Sequence, residues 1–228
     1  MISHKHRFIF IHIPKTAGTS IKNHFFPDEM LDWRIPNYEL LYGWCPKSKI
    51  HLQHATSRQL FENKLVTPEQ WNSYFKFTFV RNPWDRAYSD YLWIMQDRNV
   101  KGSFVQYMLE GGEFEKVFKN KDSMYNRIDH KIAQSDFFDV ENGPYTLDFI
   151  GRFENLNEDI LRLNKVLGIS KPFEQHSKKN LKRKYHYSSF YRKREKILVE
   201  EQFRKDVVSL NYSFEDKRNC FQRCFDLL

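Results

Sequence analysis

Cysteine is scarce: Cys45, Cys220 and Cys224 are the three in 228 residues. So odd and sparse a set argues against a disulfide framework and suits a reducing compartment. Cys220 and Cys224 stand one helical turn apart, but no second pair or nearby histidine accompanies them, so they read as structural thiols rather than metal ligands. Long apolar runs are missing too. The run that starts at Phe8 is interrupted by His12 and Lys15 and falls far short of the roughly 20 residues that span a bilayer. Neither a membrane anchor nor a signal peptide is expected, and a cytoplasmic protein is. Low-complexity tracts are absent, which together with 17% aromatic residues excludes a disordered tail. Acidic residues are outnumbered, with 29 Asp and Glu against 37 Lys and Arg, a net charge of +8. That field suits anionic partners without choosing among nucleotides, acidic polysaccharide, nucleic acid and a membrane surface. The length accommodates one domain, residues 1–228, with a sizeable core.

What is present begins with FIFIHIPKTAGTSIKN, from Phe8 to Asn23. Its apolar start reads as a short buried strand stopped by Pro14, and a helix is expected from about Thr19 to Phe26. Between them Lys15, Thr16, Ala17, Gly18, Thr19 and Ser20 make a compact turn with hydroxyls, an ammonium and backbone N–H groups, the parts of an anion cradle. Gly18 is expected to let the backbone approach the anion. The usual nucleotide loop, G-x-x-x-x-G-K-[ST], is absent, because the lysine here precedes the glycine. His12 reads as a packed core histidine.

An aromatic region with Trp33, Tyr38, Tyr42 and Trp44 follows, then an alternating segment from Lys49 to Thr56 that reads as a second strand, with a helix starting at Thr56 or Ser57. His54 falls at its C-terminal end, the edge where open α/β sheets bind ligands, and is the candidate base; His51 is its rival. Thr67-Pro68-Glu69-Gln70 has the pattern of a capped helix start. A third strand, Lys76 to Val80, runs into Arg81-Asn82-Pro83, where Asn82 suits a cap and Pro83 a first helical position. Arg81 at the strand end and Ser89 in the following helix can grip a phosphate together. The segment from Tyr125 to Phe138, with Arg127, His130, Lys131, Gln134 and Ser135, is a candidate acceptor-binding wall. Another strand is expected within Leu147–Glu154, then a capping box at Asn155–Glu158 and a helix to Gly168. The chain closes with a basic, aromatic stretch from His176 to Arg194 and a helix from about Ser189 to Leu210.

HIPKTAGTS resembles the 5′-phosphosulfate loop of carbohydrate sulfotransferases, including the heparan and uronyl 2-O and chondroitin-type enzymes, and FTFVRNPWDRAYSDY resembles their 3′-phosphate loop. DFIGRFENL extends the likeness into the second half. The resemblance implies a P-loop-like parallel sheet with helices on both faces. It also implies 3′-phosphoadenosine 5′-phosphosulfate (PAPS) as co-substrate, with Lys15 to Ser20 at the 5′-phosphosulfate and Arg81 and Ser89 at the 3′-phosphate. Ser177, Lys178 and Lys179 become candidates for a loop over the nucleotide, and a sugar hydroxyl becomes the acceptor, with His54 as base and Lys15 stabilising the leaving group. No metal is required by this chemistry. The animal relatives usually carry a Golgi anchor, so the expectation of none here points to a bacterial, viral or similar soluble relative, or to a trimmed chain. Two rivals stand beside this reading: a nucleotide kinase, which would need magnesium ligands and the usual loop, and a non-catalytic basic module binding acidic glycans or nucleic acid through residues 176–194. The acceptor's identity and the oligomeric state are left open.

Overall fold

The computed structural model describes residues 1–140, 143–173 and 185–218. The chain forms two compact units, one of Met1–Arg81 with Asn120–His176 and one of Asn82–Lys119 with Ser177–Leu228.

The first unit is built on a four-stranded sheet. Strand β1 (Ile2–Ser3) returns through a tight turn to β2 (Phe8–Ile11), which the short connection obliges to pair antiparallel, Ile2 opposite Ile9. Helix α1 is Gly18–Phe25. A separate two-stranded ribbon joins β3 (Trp44–Cys45) to β4 (Ile50–His51). Helices α2 (Ser57–Glu62) and α3 (Pro68–Ser73) precede β5 (Phe75–Val80). Strand β5 lies parallel to β2, with Phe10 opposite Phe77, and parallel to a later strand β6 (Phe149–Arg152), with Phe79 opposite Gly151. The sheet order is β1-β2-β5-β6, a mixed sheet with a parallel centre.

Every residue of β2 is buried, as a central parallel strand requires. Phe8, Phe10, Phe77 and Phe79 share one face and form the core with Ile21, Phe25 and Phe26 from the first helical segment and with Leu156, Ile160 and Leu163 of helix α7 (Leu156–Val166). Each such side chain, fully buried, contributes about 1.5–3 kcal/mol. Thr78, buried between Phe77 and Phe79 in β5, donates its hydroxyl to the Ile11 carbonyl at 2.6 Å. α1 and α7 are tied by His24 Nε2 and Asn164 Oδ1 at 2.9 Å. Gly151 is required where it lies, because a Cβ there would come within 2.4 Å of the Phe79 ring.

The second unit begins with α4 (Pro83–Asp97), followed by α5 (Phe104–Met108), α6 (Glu115–Phe118), α8 (Lys193–Gln202) and α9 (Arg204–Ser209). Trp84 donates its indole N–H to the Lys196 carbonyl at 3.0 Å, and the Tyr191 hydroxyl donates to the Trp84 carbonyl at 2.7 Å. Tyr107 gives its hydroxyl proton to Asp90 at 2.7 Å, and burial followed by the Asp90 charge holds that phenol well above its ordinary pKa.

Several expected elements change. The segment from Lys49 to Thr56 is not a strand of the main sheet: Ile50–His51 pairs only in the small ribbon, and Leu52–His54 is a short 3-10 turn. The helix does start where the sequence predicts, since Thr56 caps α2 in a reciprocal box with Gln59, as Thr67 does with Gln70 for α3. The box expected at Asn155 does not form. A 3-10 turn occupies Phe153–Asn155, and Asp159 instead accepts the Arg152 N–H at 2.8 Å. The closing helix divides at Phe203, which leaves helical geometry with its ring buried beneath the Arg86 guanidinium at 5.5 Å.

Candidate active site

Two sequence motifs meet at the C-terminal ends of adjacent parallel strands. β2 leads into the Pro14–Ser20 turn and β5 ends one residue before Arg81, so the parallel register of these strands sets the two loops side by side. The Arg81 guanidinium donates to the Lys15 carbonyl at 3.0 Å and lies 3.9 Å from the centre of the Phe153 ring. Arg81 is 6% exposed. Its backbone is held by the Gln134 amide, which accepts from the Arg81 N–H and donates to the Arg81 carbonyl, both at 2.8 Å. Gln134 was visible in sequence only as part of an acceptor wall; its role as the clamp of the arginine loop had no local signal. Phe153 likewise gave none.

The first loop is wound unusually. Lys15 and Ala17 both have positive φ, 71° and 74°, a conformation that side-chain-bearing residues rarely adopt. Alternating left-handed and right-handed residues turn successive N–H groups toward one point, which suits an oxyanion. α1 follows directly, and its N-cap, Ala17, has no side chain to occupy the first-turn N–H groups. Not every expected donor is offered. Thr16 is fully buried and gives its hydroxyl to the Ile13 carbonyl at 2.8 Å, so its contribution is limited to its backbone. Thr19 is exposed and Ser20 buried. The space beside Gly18 is filled from within the protein, since a Cβ there would fall 1.6 Å from the His12 ring. The glycine therefore admits an imidazole on that side.

His12 lies just past β2, not inside it. Its ring stacks on Phe10 at 5.3 Å and is 4.4 Å from the ring of His54. His54 Nδ1 is 3.0 Å from the His12 carbonyl oxygen. An oxygen of that kind only accepts, so Nδ1 carries the proton and the lone pair of the neutral ring is on Nε2. Burial, then the neighbouring His130, pushes the His54 pKa well below the ordinary histidine value. His51 is held differently. Its Nε2 lies 3.0 Å from the Met124 carbonyl and 2.8 Å from Arg127 Nη1, and burial lowers its pKa to about 4. That nitrogen is therefore engaged within the protein. His130 completes the group, its ring 5.8 Å from that of His54.

Ser89 lies half-buried on α4, in the second unit. Ser177, Lys178 and Lys179 lie outside the described residues. A depression of about 240 Å³ lined by Ile2, His4, Tyr38, Glu39, Leu65 and Gln70 contains none of the candidate residues.

Comparison with known proteins gives a family. The chain matches the Sulfotransferase family over residues 1–214. An uncharacterized protein of Archaeoglobus fulgidus is 29% identical over 106 residues, covering 46% of this chain and 76% of that protein. No solved structure matches. Both loops and the arginine that joins them fall within the matched span, and the chain belongs to the Sulfotransferase family.

Proposed function

We propose that the protein moves a sulfuryl group from PAPS to a hydroxyl of a carbohydrate acceptor by in-line displacement. The observation that carries this reading is the tether between His54 Nδ1 and the His12 carbonyl, which holds a neutral imidazole with its Nε2 lone pair available beside the strand end that opens the anion-suited loop. His54 takes the acceptor's proton as the oxygen attacks sulfur; a positioned base of this kind contributes about 10²–10⁴-fold in rate. The sulfur–oxygen bond to the 5′-phosphate breaks as the new one forms. Lys15 and the N–H groups from Thr16 to Ser20 take up the charge that develops on the departing phosphate.

Arg81 selects the donor through its 3′-phosphate, with a guanidinium already immobilised against Phe153 and the Lys15 carbonyl. For Ser89 the motif itself is the support. The kinase alternative lacks the usual loop order, and residues 176–184 of the basic stretch on which the binding-module alternative rests lie outside the described residues. The family likeness and the chemistry of these loops support PAPS as donor, and the resemblance of the loop motifs to those of carbohydrate sulfotransferases supports a saccharide as acceptor.

Turnover of sulfur-labelled PAPS with a panel of saccharides tests the assignment. His54→Ala should lower transfer by at least about 100-fold, and His51→Ala by much less. Equal loss in both, or none in His54→Ala, would remove His54 from the role of base.

A further inference from the structure

His54, Asp129 and His130 each offer a ligand atom, and these atoms lie within 4.8 Å of one another. His54 is partly exposed, Asp129 half-buried and His130 6% exposed. One carboxylate oxygen of Asp129, Oδ2, is buried with no hydrogen-bond partner. A buried carboxylate oxygen without a partner is unfavourable, and it calls for a group that the described residues do not supply. The surroundings are rich in imidazole. The His12 ring lies 4.4 Å and the His51 ring 6.4 Å from that of His54, and both have a buried Nδ1 without a partner.

We infer that His54, Asp129 and His130 form a site for a divalent transition-metal ion of the zinc class, and that the ion competes with the base function by taking the His54 Nε2 lone pair. Two imidazoles and one carboxylate are the donor set of open zinc sites, which leave a fourth position for water or another ligand. With Nδ1 committed to the His12 carbonyl, Nε2 is the nitrogen that His54 can give. A carbonyl hydrogen bond from the second ring nitrogen is also the usual way in which a metal-bound histidine is oriented. The ligand atoms must draw together slightly, because a tetrahedral ion with bonds of about 2.1 Å holds them roughly 3.4 Å apart. The main opposing charge is Arg127, whose Nη1 is engaged by His51 Nε2 and by the carbonyls of Met124 and Asn126. Lys131 is buried next to His130 in sequence.

The binding claim stands on these residues alone, whereas the competition rests on His54 being the base. The full chain, stripped with chelator, is titrated with Zn²⁺ by calorimetry and with Co²⁺ by optical absorption. One ion per chain is expected, with the absorption of a tetrahedral site. Asp129→Asn, nearly isosteric, and His130→Ala should each weaken binding by at least about tenfold, with unfolding followed by circular dichroism to show that both fold. His4→Ala, a change at a surface histidine, should leave binding intact. Absence of saturable binding overturns the site, as does binding that survives Asp129→Asn and falls in His4→Ala. In the activity arm, Zn²⁺ should suppress sulfuryl transfer in proportion to occupancy and chelator should restore it. Full transfer by the zinc-loaded chain would overturn the competition and count against His54 as base while leaving the binding result standing.

Discussion

His51 and His54 occupy one short segment, yet they are held through different nitrogens. His54 gives a proton to a carbonyl through Nδ1, while His51 meets the Met124 carbonyl and the Arg127 guanidinium through Nε2. That distinction is not written in the local pattern HLQH, because it depends on the His12 carbonyl and on Arg127, residues far apart in the chain. Sequence reasoning could name both histidines but had no means of choosing between them by tautomer. The pH consequences follow from the direction of the shifts. The proposed base, His54, would act in its neutral form, and its pKa is held well below 6.5, so in metal-free protein the acidic limb of kcat/KM should fall below the ordinary histidine value. A limb at or above 6.5 would contradict the partly buried, neutral imidazole. For stability, His51 binds a proton near 6.5 when unfolded and near 4 when folded. The unfolded chain therefore holds more protons within that window, and stability should be intact above pH 6.5 and decline as the pH falls toward about 4. Urea unfolding at a series of pH values measures it, and His51→Gln should flatten part of the slope.

At the scale of elements, legibility followed local signals. The buried β2 run, the Thr67 cap with Pro68 and the Asn82-Pro83 start all declare themselves through side chains a few residues apart, and each lies where it was expected. The Lys49–Thr56 segment has strand alternation but supplies only a two-residue ribbon strand and a 3-10 turn, because its edge pairs with Trp44–Cys45 and not with the main sheet. Pairing of that kind is tertiary and invisible to periodicity. Two substitutions probe the packing that positions the loops. Leu163→Ala, beneath the Phe77 and Phe79 layer, should cost about 2–5 kcal/mol in denaturant unfolding. Gly151→Ala drives a methyl into the Phe79 ring and should cost about 1–3 kcal/mol; an unchanged midpoint would mean that β6 moves freely against β5.

At the scale of the whole chain, the net charge of +8 bears on encounter rather than on fold. An acidic saccharide acceptor should lose kcat/KM steeply as ionic strength rises, whereas a neutral saccharide should be much less affected. Equal dependence for the two would show that the excess charge does not steer the acceptor. The family-level fold was legible from two motifs in order. The meeting of the motifs was not, since Arg81 reaches the Lys15 carbonyl only because β2 and β5 are parallel neighbours, and Gln134 and Phe153 come from elsewhere to hold it. That arginine is where the account can be tested most directly. Calorimetric titration with adenosine 3′,5′-bisphosphate and with adenosine 5′-phosphate, on wild type and Arg81→Ala, should show a preference of at least about tenfold for the bisphosphate that disappears in the variant. Equal binding of the two nucleotides by wild type, or a preference that survives Arg81→Ala, would contradict a nucleotide site built from these two loops.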